Sequence, residues 1–178
     1  MKKILILFMA VFIFAGCSCS LDDTNPEEAV DTFFEKYRNK DEGVITQLID
    51  TITNEELMDE QQDDYRALME KQYDQFAYVV QDVEVDEDNA TSTVELTVLD
   101  YKSAQLKAEE ELKNNPEKFN DESGNFSEQK YIDYKIEEMN NVTDTTTHTL
   151  EISLVKEAGM WKVEQLSNED ISKIHGLY

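Results

Sequence analysis

The two cysteines of this chain, Cys17 and Cys19, are separated by one residue in the stretch FAGCSCS near the N-terminus. Thiols this close could ligate a metal ion, form a redox pair, or leave one cysteine to carry a covalent lipid. A zinc site needs further ligands, and the chain has no third cysteine and no histidine nearby in sequence. Redox pairs more often have the spacing CxxC on a folded element. The metal and redox interpretations are therefore the weaker ones.

The residues before Cys17 have the organisation of a secretory signal peptide. Lys2 and Lys3 give a positive start, residues 4–14 form an unbroken apolar run, and AG stands directly before the cysteine. The apolar run is shorter than the roughly 20 residues that a membrane-spanning helix needs. The segment FAGC resembles a bacterial lipobox, which implies that Cys17 receives a diacylglyceryl group and becomes the N-terminus of the mature protein. Phe14 departs from that pattern, which most often has leucine.

This interpretation divides the chain into a signal peptide over 1–16, a lipidated linker over 17–25 and one folded domain over 26–178. Cys19 has a poor lipobox of its own, so we interpret it as a bystander in the linker. We expect the lipid on Cys17 to attach the protein to the outer face of a bacterial cell membrane, without a spanning segment. The alternative is that a standard peptidase removes both cysteines with the leader.

The chain is strongly acidic, with 40 acidic and 16 basic residues and a formal net charge of −24. Loss of Lys2 and Lys3 with the signal peptide leaves 14 − 40 = −26. Such a surface repels phosphate backbones and anionic lipid headgroups, so we expect no nucleic acid as a partner. The same charge attracts cations and basic peptides, although solubility alone is the simpler explanation of the acidity.

Catalytic motifs are missing from the sequence: it contains no HExxH, GxSxG, P-loop or GxGxxG. The two histidines, His148 and His175, are far apart along the chain, and isolated histidines are more often surface or core residues than catalytic bases. With Cys17 lipidated, no internal thiol remains as a nucleophile. We therefore expect no catalytic residue and no cofactor.

Carboxylates offer a second kind of chemistry, because Asp82, Glu84, Asp86 and Asp88 alternate along a predicted hairpin. Strand geometry would place them about 7 Å apart on one face, and clustered oxygens of this kind could hold calcium. Their spacing does not match the DxDxDG loop, and a solvated strand face explains them equally well. We treat them as weak cation-site candidates and expect no metal.

Apolar residues at helical spacing predict three helices in the first part of the domain. The first helix has Asn25 or Thr24 as its cap and Pro26 at its first position. A second, short helix follows, and Asn54 is the predicted cap of the third. The residues predicted to face inward from the third helix are Leu57, Met58, Tyr65, Leu68, Met69 and Tyr73.

Alternation of apolar and polar residues then predicts strands. Two strands flank a turn at 86–89, a helical insertion covers about 101–141, and a second hairpin turns at 157–159. A last turn of helix begins at a predicted cap, Asn168. N-terminal helices packed on a curved antiparallel sheet of about four strands, with the insertion between the second and third strands, make an α+β domain.

Three segments together resemble the NTF2-like lipoproteins of bacteria: the helix PEEAVDTFFEKYRNKD, the helix VITQLID and the closing motif K-x-x-G-x-W-K-V. The motif residues are Lys156, Gly159, Trp161, Lys162 and Val163. The resemblance covers most of residues 26–167, and the helical insertion departs from it. It implies a cone-shaped sheet wrapped around a helix, sometimes enclosing a cavity. Family members include isomerases, dehydratases and non-catalytic binding domains, so the fold does not fix the function.

The isomerases of this family work with an aspartate or tyrosine inside the cone, and the resemblance makes Asp100 and Tyr101 the nearest candidates. Neither matches a family motif, so we expect them to be rim or core residues, and Trp161 to be a core residue packed on the first helix. We expect a non-enzymatic lipoprotein that binds an envelope protein or a small ligand. The alternatives are an enzyme with an acid or base in the cone and a structural component of the envelope.

Changing Cys17 to serine should abolish lipid labelling and membrane fractionation, because only this cysteine directly follows AG at the end of the apolar run. Cells fed a radiolabelled fatty acid and then fractionated provide both measurements. The matched control, Cys19→Ser, should keep both. Loss of labelling in the control alone would overturn the assignment.

Overall fold

The computed structural model describes residues 25–53 and 58–178, without the side chains of residues 49–53. The predicted signal peptide, both cysteines and Thr24 lie outside the described residues, as do Asn54 and Leu57. Within these ranges the structure has six α-helices and one four-stranded antiparallel sheet. The predicted α+β fold class is confirmed.

The described elements are, in chain order, α1 Pro26–Arg38, α2 Glu42–Thr53, α3 Asp59–Gln75, β1 Ala77–Asp86, β2 Asn89–Leu99, α4 Tyr101–Asn114, a short 3-10 helix Pro116–Phe119, α5 Glu128–Asn140, β3 Thr145–Glu157, β4 Met160–Val163 and α6 Asn168–His175. The strands lie in the sheet in the order β1-β2-β3-β4, and each pairs antiparallel with the next. The helical insertion therefore lies between the second and third strands, as predicted.

Helix α1 begins where its sequence predicts, because two side chains satisfy N–H groups at its start. The backbone N–H of Glu28 donates to Oδ1 of Asn25 at 2.8 Å, and the Glu28 carboxylate accepts from the Asn25 N–H at 3.4 Å. Pro26 takes the first helical position, where an N–H would have no partner in the helix. The buried residues of α1 are Val30, Phe34 and Tyr37.

Two predicted helix starts are wrong. Helix α3 begins at Asp59 with Met58 as its cap, and Met58, predicted to face inward, is 44% exposed. Helix α6 is capped by Ser167, whose hydroxyl accepts from the N–H of Asp170 at 3.1 Å, and not by Asn168. At α6 the neighbouring residues Ser167 and Asn168 are both good caps, and packing decides which of them occupies the last non-helical position. At α3 the cap residue, Met58, makes no side-chain capping hydrogen bond, so the capping signal in the sequence does not mark this helix start.

One face of the sheet forms the core. Alternate residues of β2 and β3 are buried on it, and they stand opposite one another in pairs such as Val94 with Leu150 and Ala90 with Leu154. Strand β1 keeps Tyr78, Val80 and Val83 on the same face through a bulge between Val80 and Asp82, which adds one residue and restores the alternation for Val83. The opposite face is polar, with exposed residues such as Thr91, Glu95, Thr149 and Glu151.

Polar contacts join the end of β2 to α3 and the residue after α6 to the start of α4. The side-chain amide of Gln72, in α3, donates to the carbonyl oxygen of Leu99 at 3.3 Å and accepts from the Leu99 N–H at 2.9 Å. The carbonyl oxygen of Gly176 accepts from the N–H of Lys102 at 2.8 Å. Gly176 has a φ of +71°, and a Cβ added there would overlap the Leu99 carbonyl oxygen. Glycine therefore serves both the backbone conformation and the close approach.

Changing Gly176 to alanine should destabilise the domain more than the same change at Gly124 or Gly159. All three glycines have positive φ, but an added Cβ meets open space at the two control positions. The controls should lose about 1–2 kcal/mol from the left-handed conformation alone. Gly176→Ala should lose about 1–3 kcal/mol more from overpacking.

Urea denaturation gives the free energy of unfolding of all three variants. Equal losses would contradict the close approach of Gly176 to Leu99.

Candidate functional site

The four predicted cation-site candidates do not form a cluster. Asp82, Glu84 and Asp86 are exposed on β1, and Asp88 is exposed in the turn that follows. The strand partners of the first three are Thr93, Thr91 and Asn89, so no carboxylate faces them from β2. Among residues 25–53 and 58–178, no group of three or more His, Cys, Asp or Glu could hold a metal ion. The geometry therefore gives the weak cation-site prediction no support.

Asp100 and Tyr101, the acid and base candidates, both have structural partners. The carboxylate of Asp100 caps α4, accepting from the Ser103 N–H at 3.0 Å and from the Ser103 hydroxyl at 2.6 Å. The hydroxyl of Tyr101 is buried and donates to the carbonyl oxygen of Leu68 at 3.0 Å. Burial raises the pKa of Tyr101. These contacts position the junction between β2 and α4.

His175 lies in the core, at the end of α6. Its Nε2 lies 3.0 Å from the hydroxyl of Tyr73, and the histidine is 8% exposed. Burial lowers the pKa of His175 to about 4 and raises the pKa of Tyr73. Both side chains are therefore neutral at pH 7. His175 borders a cavity of about 380 Å³ that Tyr65 and Lys135 also line.

His148 has a different environment. It is half-buried on β3, and its ring packs edge-on against that of Tyr178 with centroids 4.0 Å apart. Burial lowers the pKa of His148, and Lys173 adds to that effect while Asp100 opposes it. In the described part of the chain, its Nε2 is buried without a hydrogen-bond partner. The two histidines belong to separate environments and form no catalytic pair.

The main concave surface lies elsewhere, between α1 and β4. Two adjoining cavities, of about 640 Å³ and 980 Å³, share Phe33, Lys36 and Val163 and make one open groove. This α1–β4 groove runs along α1 and β4 and continues between the start of α2 and the segment that follows β4. Among the described residues, none of the candidate site residues that the sequence predicts lies in this groove.

The floor of the α1–β4 groove is apolar. It consists of side chains that lie against the core and still border the groove: Ala29, Phe33, Val44, Trp161, Val163 and Leu166. Phe33 is central among them, because it lines both cavities and its ring lies 5.2 Å from that of Phe34 and 5.4 Å from that of Tyr37. The core therefore supports the floor from below, and the floor is built in advance of any ligand.

The rim of the groove is acidic. Its carboxylates are Glu28, Asp31, Glu35, Asp41, Glu42 and Glu164. Two lysines, Lys36 and Lys162, also line it, and Lys162 forms an ion pair with Glu157 at 2.7 Å. An apolar floor between acidic walls can receive a ligand that combines apolar and cationic groups.

Trp161 was predicted to be a core residue, and its burial is confirmed. It is 8% exposed, pairs with Lys156 across β3 and β4, and belongs to the core cluster. The same residue borders the groove, which the sequence analysis missed. One signal was available: Phe33 and Phe34 are adjacent on a helix, about 100° apart, so both cannot point to the middle of one core.

The comparisons with known proteins give little similarity. No protein-family model matches the chain, and no curated protein is similar to it in sequence. A candidate lipoprotein of Bacillus subtilis, ycdA, has a crystal structure that is similar to this chain with a TM-score of 0.46 and 13% sequence identity. The similarity covers 86% of this chain and 47% of the other, so this chain spans about half the length of that protein. Among the described residues, no helix has the length and apolar character needed to cross a membrane.

Acidification should destabilise the domain through His175, whose pKa is about 4 when folded and about 6.5 in an unfolded chain. As the pH falls, the unfolded state binds the proton before the folded state does, and this lowers the free energy of unfolding. The stabilisation from neutral, buried His175 is therefore complete above about pH 6.5, decreases as the pH falls, and is lost at about pH 4. The free energy of unfolding should fall by about 2 kcal/mol between pH 7 and pH 5 from this group.

His175→Gln should remove most of that dependence, because glutamine keeps a polar partner for Tyr73 and does not titrate. His148→Gln is the control and should leave most of the dependence in place, since His148 is only half-buried. Denaturant titrations at several pH values measure both. An unchanged pH dependence in His175→Gln would show that another group is responsible.

Proposed function

We propose that this protein is a non-catalytic binding domain, attached through a lipid on Cys17 to the outer face of a bacterial membrane, with the α1–β4 groove as its binding surface. The observation that carries the proposal is the preformed apolar floor around Phe33, which is large, concave and open. A concave, mostly apolar site with a few polar groups at its edge is the usual form of a binding pocket. The NTF2-like assignment belongs to the same proposal.

The groove stays open because β4 is short. It has only four residues and ends at Val163, whereas its neighbour β3 has thirteen. The sheet therefore ends beside α1 and leaves Phe33 partly exposed between α1 and β4. Both of these elements pack against the core. Partly exposed aromatic side chains that cannot turn inward favour association with a further apolar group.

The attachment point suits a surface receptor or scaffold. Nine residues, Cys17 to Asn25, connect the predicted lipid to the start of α1. Even fully extended, a segment of this length spans no more than about 30 Å. The N-terminal part of α1, with Glu28 and Ala29 at one end of the groove, would therefore lie close to the membrane surface.

The rival proposal of an enzyme with an acid or base in the cone has less support. Asp100 and Tyr101, its candidates, are engaged as a helix cap and as a buried hydrogen-bond donor. His175 does border a cavity, but its Nε2 is already close to the hydroxyl of Tyr73. No observation favours a purely structural role over a binding role.

Trp161 provides a direct test, because it is the chain's single tryptophan and borders the groove. A neutral apolar dye, N-phenyl-1-naphthylamine, should quench Trp161 emission by energy transfer in a saturable way. Phe33→Ala should weaken dye affinity about 5- to 10-fold, because about 1 kcal/mol of apolar contact is lost.

Phe126→Ala is the matched control, since Phe126 is 54% exposed and lies in the helical insertion, away from the groove. It should leave dye affinity unchanged. Melting curves check that both variants are folded. Equal dye binding by wild type and a folded Phe33→Ala variant would remove the groove as the binding surface.

A further inference from the structure

We propose that the cavity of about 380 Å³ beside His175 is a second binding site, and that its ligand is a small organic carboxylate with an apolar chain. This insertion cavity is bordered by Gln105 of α4, Lys135 of α5 and Ser172 of α6. The inference goes beyond the α1–β4 groove and does not depend on it. It is carried by the helices that build the cavity, by the charge of its lining and by the division of its wall into a polar and an apolar part.

Five helices, α2 to α6, contribute residues to the wall of the insertion cavity. Two of them, α4 and α5, belong to the helical insertion, which departs from the NTF2-like resemblance. Polar contacts hold the insertion against α3: the side-chain amide of Gln61 donates to the Asp133 carboxylate at 2.7 Å, and the Lys71 ammonium donates to the carbonyl oxygen of Asn140 at 2.9 Å. Spaces between packed helices are common positions for small-molecule sites. The insertion therefore supplies one wall of a cavity whose other walls come from the rest of the domain.

The described residues that line the insertion cavity include one lysine and no carboxylate. The lysine is Lys135, which is partly buried. This composition contrasts with the whole chain, in which acidic residues outnumber basic ones by 40 to 16. The two cavities of the groove and two smaller cavities, one bordered by Asp133 and the other by Asp144, all have several carboxylates in their linings. Among these five cavities, the insertion cavity is therefore the one whose described lining does not oppose an anion.

Neutral hydrogen-bond donors accompany the lysine. The side-chain amides of Gln105 and Asn168 and the hydroxyl of Ser172 border the cavity, and groups of these types can donate to a carboxylate oxygen. Hydrogen bonds to a charged acceptor are stronger than those between neutral groups. A single lysine balances one negative charge, so a carboxylate fits this lining better than a phosphate monoester, which carries about −1.5 to −2 at pH 7.

The remaining wall of the insertion cavity is apolar. It consists of Ile132 and Ile136 of α5, Ile171 of α6 and Leu177. Ile136 is a core residue, and Ile132 and Leu177 pack against the core, so this part of the wall is held in place. The volume of the cavity lies within the range of small-ligand pockets, about 300–1,000 Å³. A ligand with one anionic end and a short hydrocarbon chain matches both parts of the wall.

The test compares octanoate, octanamide and octylammonium, which share a chain length and differ in the charge of the end group. Each compound is titrated into the mature lipidated protein in phosphatidylcholine nanodiscs, with the isoleucine methyl groups labelled with carbon-13 for NMR. The methyl signals of Ile132 and Ile136 report on the cavity, and Ile152, a buried residue of β3, is the internal reference. Titration of empty nanodiscs measures how much of each compound enters the lipid.

We expect octanoate to shift the signals of Ile132 and Ile136 saturably and to leave that of Ile152 in place. Octanamide should bind at least about 5-fold more weakly, because a hydrogen bond to a charged group contributes more than one to a neutral group. Octylammonium should leave both reporters unchanged, since its positive charge would meet that of Lys135.

Lys135→Gln removes the positive charge and keeps a polar side chain at the same position. This variant should bind octanoate about 5- to 10-fold more weakly and octanamide within about 2-fold of wild type, so its preference for the carboxylate should be lost. Lys113→Gln is the matched control, because Lys113 is an exposed residue of α4 and the net charge changes equally. The control should keep the preference for octanoate, and Phe33→Ala, a change in the groove, should keep it as well.

Four outcomes would overturn the inference. Equal affinity of wild type for octanoate and octanamide would mean that the cavity does not select a carboxylate. Equal weakening by Lys135→Gln and Lys113→Gln would assign the effect to net charge. Weaker octanoate binding in Phe33→Ala would place the compound in the α1–β4 groove, and the absence of a saturable shift at Ile132 and Ile136 would mean that the cavity binds no such ligand. The groove proposal is decided separately, by the dye.

Discussion

The packing of Phe34 against the inward face of the sheet is the contact on which the rest of the structure depends. Phe34 is fully buried, its ring stacks on Tyr78 of β1 with centroids 4.4 Å apart, and Phe76 lies 5.9 Å away. This contact fixes the rotation of α1 about its own axis. With that rotation fixed, the adjacent Phe33 must point about 100° away, toward β4. The rotation of α1 therefore determines both the packing of the core and the position of the groove floor. A change that rotated α1 would disturb both.

The C-terminal segment completes the arrangement from the other side. Buried Gln72 holds the end of β2 through two hydrogen bonds with Leu99, and Gly176 approaches the same residue closely enough to exclude a side chain. The buried amide of Gln72 and the imidazole of His175 both have partners, which limits the cost of placing them in the interior. The position of α6 that results also places Leu166 and Ile171 along the groove. The stability of the C-terminus and the shape of the groove are thus coupled.

Acidic residues are spread over the whole domain, but their surroundings differ. On the outer face of the sheet they are exposed and stand opposite threonine on the next strand, as Asp82 and Glu84 do. In the α1–β4 groove, carboxylates line the same cavity as partly buried apolar side chains: Asp41, Glu42 and Glu164 with Phe33, Val44 and Leu166. A ligand that displaces water from the apolar floor brings its own charges into a less polar environment. Its charges then interact more strongly with nearby carboxylates than they would in water. The groove is therefore the part of the surface where the acidic residues can distinguish one ligand from another.

The α+β class, the two hairpins and the helical insertion could be predicted from the sequence, because hydrophobic periods of 3.6 and 2 depend on local spacing alone. The lipid-anchor prediction for Cys17 also rests on local sequence. Tertiary structure alone decided the caps at Met58 and Ser167, the burial of His175 against Tyr73, and the use of Asp100 as a cap. It also decided the groove, whose walls come from α1 and from a strand more than a hundred residues later in the chain. Periodicity shows that Phe33 and Trp161 are apolar positions on their elements, but only the packing of those elements shows that the two residues line one surface.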